Sequence, residues 1–343
     1  MGKLMTDETG QDILTQLKII TKKQIDVTGY ADLHNIASSG IASEYLNIGD
    51  QVIVPWSDGT TSYDEVPLDV VNFGNIETED GETKPAIFLQ WHYTLPFATV
   101  FDPAEAVLAT ETECDPNLFY YVKKTDGSFA LQTDLENQDP AASGWYHNAI
   151  KDTTGSILQY GYNNWEHSPL RRYLNSTASA GKWWEADHVG SVEPTGYSGK
   201  QGFMAGFDKA FLKILGKPKM VTAKNYITDG GSSTAPELSE TYDTFFLPSL
   251  EQHFVKPQVS GVEGNFWEYW KQASGSSEPL AQYSTYPQWI IYALNSKTSP
   301  QGVWMRSAGR GSSRYVWYVY SSGGVSTGGA CHGVRCAPAC AIV

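Results

Sequence analysis

Residues 303–343 decide the fold prediction, and they read VWMRSAGRGSSRYVWYVYSSGGVSTGGACHGVRCAPACAIV. The stretch mixes two kinds of position. Bulky residues typical of a core alternate with Tyr, Ser and Gly residues typical of an adaptable exposed surface. From Trp317 to Tyr320 the alternation is strict, as on a β-strand whose two faces differ. We therefore expect Tyr318 and Tyr320 to project together from one face of a strand, opposite Trp317.

The bulky positions of this stretch predict a buried framework that holds the strand in place. They are Trp304, Arg306, Val316, Trp317, Val319, Val325, Pro338 and Ile342. The positions between them form a candidate ligand-binding surface, because Tyr gives rigid contact area and Ser and Gly give hydrogen bonds and clearance. They are Gly309, Ser312, Ser313, Arg314, Tyr315, Tyr318, Tyr320, Gly324, Ser326, Thr327, Gly328, Gly329, Cys331, His332, Gly333 and Val334.

The composition of the whole chain limits the classes of function. Its 343 residues carry a formal net charge of −14, which disfavours nucleic acids and anionic membranes as partners. No apolar run approaches the roughly 20 residues of a membrane-spanning helix. The first residues, MGKLMTDETGQD, lack the apolar core of a secretory signal. The sequence therefore predicts synthesis in a cytoplasm without membrane insertion.

The remaining pattern predicts an α+β domain with short strands and few helices. Alternation from Val52 to Trp56 indicates a strand, and Phe245 to Leu247 a short buried one. Ser168 followed by Pro169 indicates the start of a short helix, with Ser as its N-cap. The apolar spacing over 205–215 predicts a further helix.

No Gly-, Pro- or Ser-rich linker divides the chain after its first helical stretch. We therefore assign 45–343 to one ligand-binding domain, with an insertion at 102–145 and the variable region at 303–343. Residues 1–44 have helical spacing and are interpreted as an attachment or oligomerisation segment. This interpretation leaves a homo-oligomer open.

The C-terminal stretch resembles the variable proteins of diversity-generating retroelements, which have a C-type-lectin-like fold shared with formylglycine-generating enzymes. The resemblance rests on Trp304-Met305-Arg306-Ser307-Ala308, on the Val316-to-Val325 segment, and on Arg335-Cys336-Ala337-Pro338-Ala339-Cys340. It extends upstream to Gly49-Asp50, Val54-Pro55-Trp56, Phe88-Leu89-Gln90-Trp91-His92, Asn163-Asn164-Trp165, Leu174-Asn175, Gly181-Lys182-Trp183-Trp184 and Phe245-Phe246-Leu247-Pro248-Ser249-Leu250-Glu251.

This resemblance implies that the candidate surface is variable. In such proteins, error-prone reverse transcription alters template adenines, so that AAC codons scatter among codons ending in C. Those codons encode Gly, Ser, Arg, Tyr, Thr, Cys, His and Val, but not Lys, Glu, Gln, Met or Trp. The candidate surface contains none of the five excluded types, as the resemblance requires.

The cysteines raise the alternative of a zinc site or an oxidase. Cys331, His332, Cys336 and Cys340 could form a Cys₃His set, but no C-x₂-C pair is present. The first two also lie at positions that the resemblance makes variable. We therefore predict no metal or other cofactor at this set. Structural calcium at acidic loops such as Asp229-Gly230-Gly231 is left open.

The sequence thus predicts a non-enzymatic binding protein with Tyr315, Tyr318 and Tyr320 as aromatic anchors, Arg314 as a charged contact and His332 at the rim. The expected target is a cell-surface protein or glycan, and the expected setting is the receptor-binding tip of a phage or prophage tail, on the virion or another extracellular surface. Two alternatives remain open. One is a formylglycine-generating-enzyme-like oxidase or another enzyme on the same fold, and the other is an undiversified structural surface protein.

Overall fold

A computed structural model describes residues 29–103, 162–184, 193–225, 235–311 and 314–343. It also describes the backbone of five short strands between residues 105 and 159. Most of the predicted insertion at 102–145 lies outside the described residues. So do residues 1–28 of the predicted N-terminal segment, the Asp229-Gly230-Gly231 loop, Ser312 and Ser313.

Seventeen β-strands and four short α-helices lie in the described parts of the chain, as the α+β prediction requires. The strands are β1 (Gln51–Ser57), β2 (Ser62–Glu77), β3 (Thr83–Trp91), β4 (Glu105–Val107), β5 (Tyr121–Lys123), β6 (Phe129–Leu131), β7 (Ala149–Lys151), β8 (Ile157–Gln159), β9 (Lys219–Ala223), β10 (Leu238–Tyr242), β11 (Phe245–Phe246), β12 (Ile291–Tyr292), β13 (Pro300–Gln301), β14 (Val303–Ala308), β15 (Tyr315–Val319), β16 (Val325–Gly329) and β17 (Ala339–Ile342). The α-helices are α1 (Tyr30–Ser38), α2 (Pro169–Leu174), α3 (Lys209–Lys213) and α4 (Glu268–Ser274).

The central sheet has the strand order β1-β2-β3-β17-β11, with every neighbouring pair antiparallel. The C-terminal strand β17 therefore lies inside the sheet, where Ala339 pairs with Gln90 on one side and with Phe246 on the other. The predicted strand around Val52–Trp56 is confirmed as β1, and Phe245–Phe246 as β11. A separate sheet with the order β14-β15-β16 carries most of the candidate surface.

Aromatic side chains fill the core against the central sheet. The ring of Trp56 meets that of Trp91 edge to face at 5.1 Å, and Phe207 stacks on Phe245 at 5.0 Å. Phe203 contacts all four of these rings. Such pairs contribute about 0.5–1.5 kcal/mol each beyond the burial of apolar area. The aromatic composition therefore builds a rigid support.

Helix α1 packs on the same core rather than standing apart from it. Leu33, Ile36 and Ala37 are at most 5% exposed, and they belong to the same hydrophobic cluster as the strands. Gly40, with φ at +69°, follows the end of the helix in the left-handed region that favours glycine. The sequence pattern placed the start of the domain at residue 45, but the hydrophobic core already includes residues of α1.

The two helix predictions have different outcomes. Helix α2 begins as expected, because the Ser168 side chain accepts a hydrogen bond from the Arg171 backbone N–H. The single helix expected over 205–215 is wrong. A 3₁₀ turn at Phe203–Gly206 precedes the extended Phe207, and α3 starts only after Asp208, whose side chain caps Ala210 N–H. A strong N-cap in mid-stretch overrides the apolar periodicity.

Arg306 on β14 is buried and ties separate segments together. Its guanidinium donates to the Leu247 carbonyl at 3.0 Å, and to the Glu263 carbonyl and the Gln252 side chain. Burial lowers the pKa of Arg306 to about 10, partly offset by the charge of Glu263. Its side chain is therefore part of the framework, as the sequence predicts. Among the described residues, no helix is long and apolar enough to cross a bilayer.

One buried histidine makes the fold sensitive to acid. Burial lowers the pKa of His253 to about 3, and its ring stacks on Trp270 at 4.5 Å. The unfolded chain takes up this proton near pH 6.5. Folding stability attributable to His253 is therefore complete above pH 6.5 and declines as the pH falls towards 3. Between pH 6.5 and 4 this loss is about 3 kcal/mol.

We predict that His253→Phe, which keeps a ring on Trp270, reduces the acid loss of melting temperature between pH 7 and 4. Thermal unfolding followed by circular dichroism checks this. Between pH 7 and 8.5 the two melting curves should run parallel, because the imidazole is then neutral in both states. Equal acid slopes for the two proteins would contradict the assignment. The buried carboxyl of Asp102, whose pKa burial raises to about 7, acts equally in both proteins and cancels.

Candidate functional site

The candidate surface is built on the β14-β15-β16 sheet. Strand β15 is the middle strand, and its Tyr318 lies opposite Trp304 on β14 and Ser326 on β16. Val316 lies opposite Gly328 in the same register. Directly opposed residues share a face of a sheet, and successive residues alternate between faces. The register therefore fixes which candidate residues can act together.

The framework predicted from the bulky positions is confirmed. All of its members are buried, and Trp304, Val316, Trp317 and Val319 are at most 1% exposed. Each tryptophan also has its indole N–H bonded. Trp304 donates to the Thr99 carbonyl at 3.2 Å, and Trp317 donates to the Gln258 side chain at 3.2 Å. The support of the surface is thus both packed and hydrogen-bonded.

One face carries Tyr318, Tyr320, Ser326 and Gly328, and we call it the paired-tyrosine face. The rings of Tyr318 and Tyr320 lie 4.4 Å apart, and Tyr318 packs on Trp304 at 5.5 Å. Tyr320 is 42% exposed, whereas Tyr318 is half-buried. Burial, together with a hydrogen bond to Tyr320, raises the pKa of Tyr318 above its usual range. The Tyr318 phenol is therefore neutral at pH 7.

Tyr315 lies on the other face of the sheet, with Trp317 and Thr327, and we call this the Tyr315 face. The Arg314 guanidinium lies over the Tyr315 ring at 4.9 Å and donates to its hydroxyl at 3.0 Å. The three tyrosines predicted as anchors are thus divided between two faces, because strand alternation separates residues 315 and 318. The sequence analysis did not predict that Tyr315 lies apart from the other two tyrosines. This division requires β15 to be a regular strand from Tyr315 onwards.

Sequence reasoning missed one prominent residue of the Tyr315 face. Tyr283 is 66% exposed, has φ at +58°, and rests on the Trp317 ring at 5.0 Å. A non-glycine residue in the left-handed region is uncommon and marks strain that the surroundings support. The one signal in the sequence is that Tyr283 lies in a Ser-rich loop between aromatic clusters. Its contact with Trp317 could not be predicted, because the two residues are 34 positions apart in the chain.

Side chains distant in sequence form hydrogen bonds with the backbone at both ends of the loop between β14 and β15. The Asn163 amide donates to the Tyr315 carbonyl at 2.8 Å, and Asn225 donates to the Asn163 side-chain oxygen at 3.1 Å. Gln258 accepts from the backbone N–H of Arg310 at 2.8 Å. The buried Arg310 donates to the Lys224 carbonyl. These bonds fix the backbone on which Arg314 and Tyr315 stand.

Three glycines of the candidate surface are buried instead of displayed: Gly309, Gly324 and Gly329. The expectation of an exposed variable residue is therefore wrong at these three positions. At Gly309 a side chain would clash, since a β-carbon there would lie 2.8 Å from the Tyr315 carbonyl oxygen. This oxygen is a backbone atom and cannot rotate away. Gly309 serves the close approach of β14 and β15.

We predict that Gly309→Ala destabilises the fold by about 1–3 kcal/mol, because the added methyl group overpacks a backbone contact. Gly311→Ala is the matched control, since a β-carbon at residue 311 meets nothing within 4 Å. Denaturant unfolding measures both. Equal stability of the two variants would show that the 309–315 backbone is free to move.

The segment after β16 brings the last four candidate residues to the edge of the sheet. His332 and Gly333 are exposed, and burial raises the pKa of the half-buried Cys331. Val334 is held by its backbone, which exchanges two hydrogen bonds with Thr99. Its side chain lies beside Gly302, next to the Tyr318 ring. Val334 therefore joins the paired-tyrosine face.

The other two cysteines among the described residues are inaccessible. Cys336 and Cys340 are fully buried, and burial raises the pKa of Cys336 to about 12. Thiolates are the reactive form, so these two cysteines are poor nucleophiles. No group of three or more His, Cys, Asp or Glu side chains spaced to bind a metal ion lies within the described residues.

A polar hollow of about 550 Å³ lies beside α2, away from the candidate surface. Its floor is Asp243, whose carboxylate accepts from Arg171 at 2.7 Å, from Trp165 at 2.9 Å and from Thr241 at 2.6 Å. Asn175 beside it bonds the backbone of residues 244 and 245. Because these side chains are already bonded to one another or to the backbone, they stabilise the fold.

Comparison with known proteins places the chain in a family. The model of a domain of unknown function, DUF6273, matches residues 147–342, more than half of the chain. The chain belongs to this family. The DUF6273 region contains the whole β14-β15-β16 sheet and β17, whereas β1, β2 and β3 lie before it. No curated protein and no solved structure matches the chain significantly.

Proposed function

We propose that the chain is a non-enzymatic recognition protein of the type encoded beside diversity-generating retroelements. Its C-type-lectin-like domain displays a diversified surface near the C-terminus. The target is a cell-surface protein or glycan, and the chain acts at the receptor-binding tip of a phage or prophage tail. No cofactor takes part, and binding is the whole of the mechanism.

The observation that carries this proposal is the sharp difference in exposure between neighbouring residues on β15 and directly after it. Tyr315 is 37% exposed and Tyr320 is 42% exposed, whereas Trp317 between them is fully buried. Exposed substitutions usually change stability by no more than about 0.5 kcal/mol. A sheet of this kind can therefore accept new side chains at its exposed positions while its buried positions hold the fold.

The chemistry of the exposed side chains suits binding of macromolecules. Tyrosine dominates many recognition surfaces because it offers large contact area with few rotatable bonds. Tyr318 and Tyr320 already contact each other, and Tyr315 is braced by Arg314, so little ordering remains to be done on binding. The enzyme alternative gains no support from Cys336 or Cys340, because both thiols are buried.

The C-type-lectin-like fold is supported by where the resembling residues lie. Trp56, Trp91, Trp165 and Trp304, which carry the resemblance, are at most 1% exposed and stand in the hydrophobic core. The small number of helices and the many strands of two to five residues fit this fold too. Comparison of an experimental structure with that of a known variable protein tests the assignment.

We predict that natural copies of this gene differ mainly at the codons of candidate positions that are exposed or half-buried: Arg314, Tyr315, Tyr318, Tyr320, Ser326, Thr327, Gly328 and His332. Codons for buried framework residues and for Gly309 should be uniform. Sequencing the 3′ end of the gene in many clones of one population, with the flanking locus, checks this.

The flanking locus provides a second test of diversification. A nearby partial copy with adenines at the exposed codons, beside a reverse transcriptase gene, is expected. Uniform codons without such a copy would refute diversification. They would favour the undiversified structural protein.

We predict that Tyr320→Ala shifts the melting temperature by no more than a few degrees, because the side chain is largely exposed. It should nevertheless abolish binding, since aromatic anchors dominate interfaces. Labelled protein is incubated with a panel of bacterial strains, and the bound fluorescence is measured. Ile53→Ala, a change at a 49% exposed residue of the central sheet, is the control and should bind as wild type. A large loss of stability in Tyr320→Ala would contradict display.

A further inference from the structure

The Tyr318 ring lies in a seat made by four neighbours. Trp304 and Tyr320 contact it as rings, at 5.5 and 4.4 Å. The other two neighbours are glycines, whose missing side chains make the room. A β-carbon on Gly302 would lie 3.7 Å from the ring, and one on Gly328 would lie 2.9 Å from its Cε1 atom.

Gly328 differs from Gly309 in what a side chain would meet. At Gly309 the obstacle is a backbone oxygen, whereas at Gly328 the nearest atoms are all on the ring of Tyr318, at 2.9, 3.4 and 3.5 Å. A ring can rotate about its side-chain bonds, and the backbone of an ordinary strand residue accepts alanine. A substitution at residue 328 therefore displaces the Tyr318 ring and leaves the sheet intact.

We propose that residue 328 determines specificity by setting the position of the Tyr318 ring. With glycine at 328, the ring lies beside residue 328 of β16 and stays in contact with Trp304 and Tyr320. With any larger residue, the ring leaves this seat, and the pair of tyrosines separates. The two positions are thus one unit of recognition.

This inference rests on the proposed function, because specificity has meaning only for a binding surface. Its consequence is that changes at the surface do not add independently. A residue change at 328 alters three contact residues at once, since Tyr320 loses the ring that packs on it. Residues in direct contact commonly show such coupling, whereas distant ones do not.

The test uses nitration of tyrosines by tetranitromethane at pH 8, mapped by peptide mass spectrometry. The reagent attacks accessible phenols, so the half-buried Tyr318 should react more slowly than Tyr283, the internal reference on the Tyr315 face. In Gly328→Ala and Gly328→Ser the Tyr318-to-Tyr283 ratio should rise at least about threefold. Gly333→Ala is the control, because its β-carbon meets only Ala98 at 3.7 Å. An unchanged ratio, or an equal rise in the control, overturns the proposal.

Melting temperatures supply a second readout, which also covers a variant that folds poorly. Gly328→Ala should lower the melting temperature of the wild-type protein. It should have no effect in a Tyr318→Ala background, because the vacated seat accepts the methyl group. An equal loss in both backgrounds would show that residue 328 acts through the backbone and would refute the coupling.

Selection separates this inference from the proposed function. A phage-displayed library varied at residues 318, 320, 326 and 328 is selected on immobilised streptavidin. Among binders, Tyr at 318 should occur with Gly at 328 more often than their separate frequencies predict. Independent frequencies overturn the inference while leaving the proposed function standing. A library without binders counts against the proposed function, and nitration and melting then decide the coupling alone.

Discussion

Two buried tryptophans on opposite faces of one thin sheet support everything else at the candidate site. Trp304 lies on the paired-tyrosine face, opposite Tyr318, and donates to the Thr99 carbonyl. Trp317 lies on the Tyr315 face and donates to the Gln258 side chain. An indole fills a large volume and leaves one donor to be satisfied. Because both indole N–H groups are hydrogen-bonded, each tryptophan is held by a specific bond as well as by packing. The exposed residues between them can therefore change without moving the backbone.

The same support explains why the surface has two faces with different character. Tyr318 packs on Trp304 and contacts Tyr320, to which it is hydrogen-bonded, so this face presents paired aromatic rings. The Tyr315 face carries a cation, Arg314, and the strained Tyr283 resting on Trp317. A partner that spans one face does not meet the anchors of the other. If the surface is diversified, its two faces offer separate sets of contacts.

Glycine has two opposite uses at this surface. Gly309 lets two strands approach, and its place is fixed by the carbonyl oxygen of Tyr315. Gly328 makes room for a side chain, and its place depends on which residue occupies 318. Both read as the same letter in a Gly-rich stretch. They differ in the atom that an added β-carbon would meet, which is a backbone oxygen at Gly309 and a ring carbon at Gly328. Both atoms belong to β15.

The sequence by itself determined the α+β class, strands β1 and β11, the cap of α2, and the buried framework around Trp304 and Trp317. These follow from local alternation and capping, which act within a few residues. Tertiary structure alone decided the burial of Gly309, the position of Tyr283 on Trp317 and the packing of α1 on the core. Each of these depends on contacts between segments far apart in the chain, such as Asn163 with Tyr315 and Tyr283 with Trp317. Periodicity carries no record of such contacts, because it reports which face of an element is apolar but not what covers it.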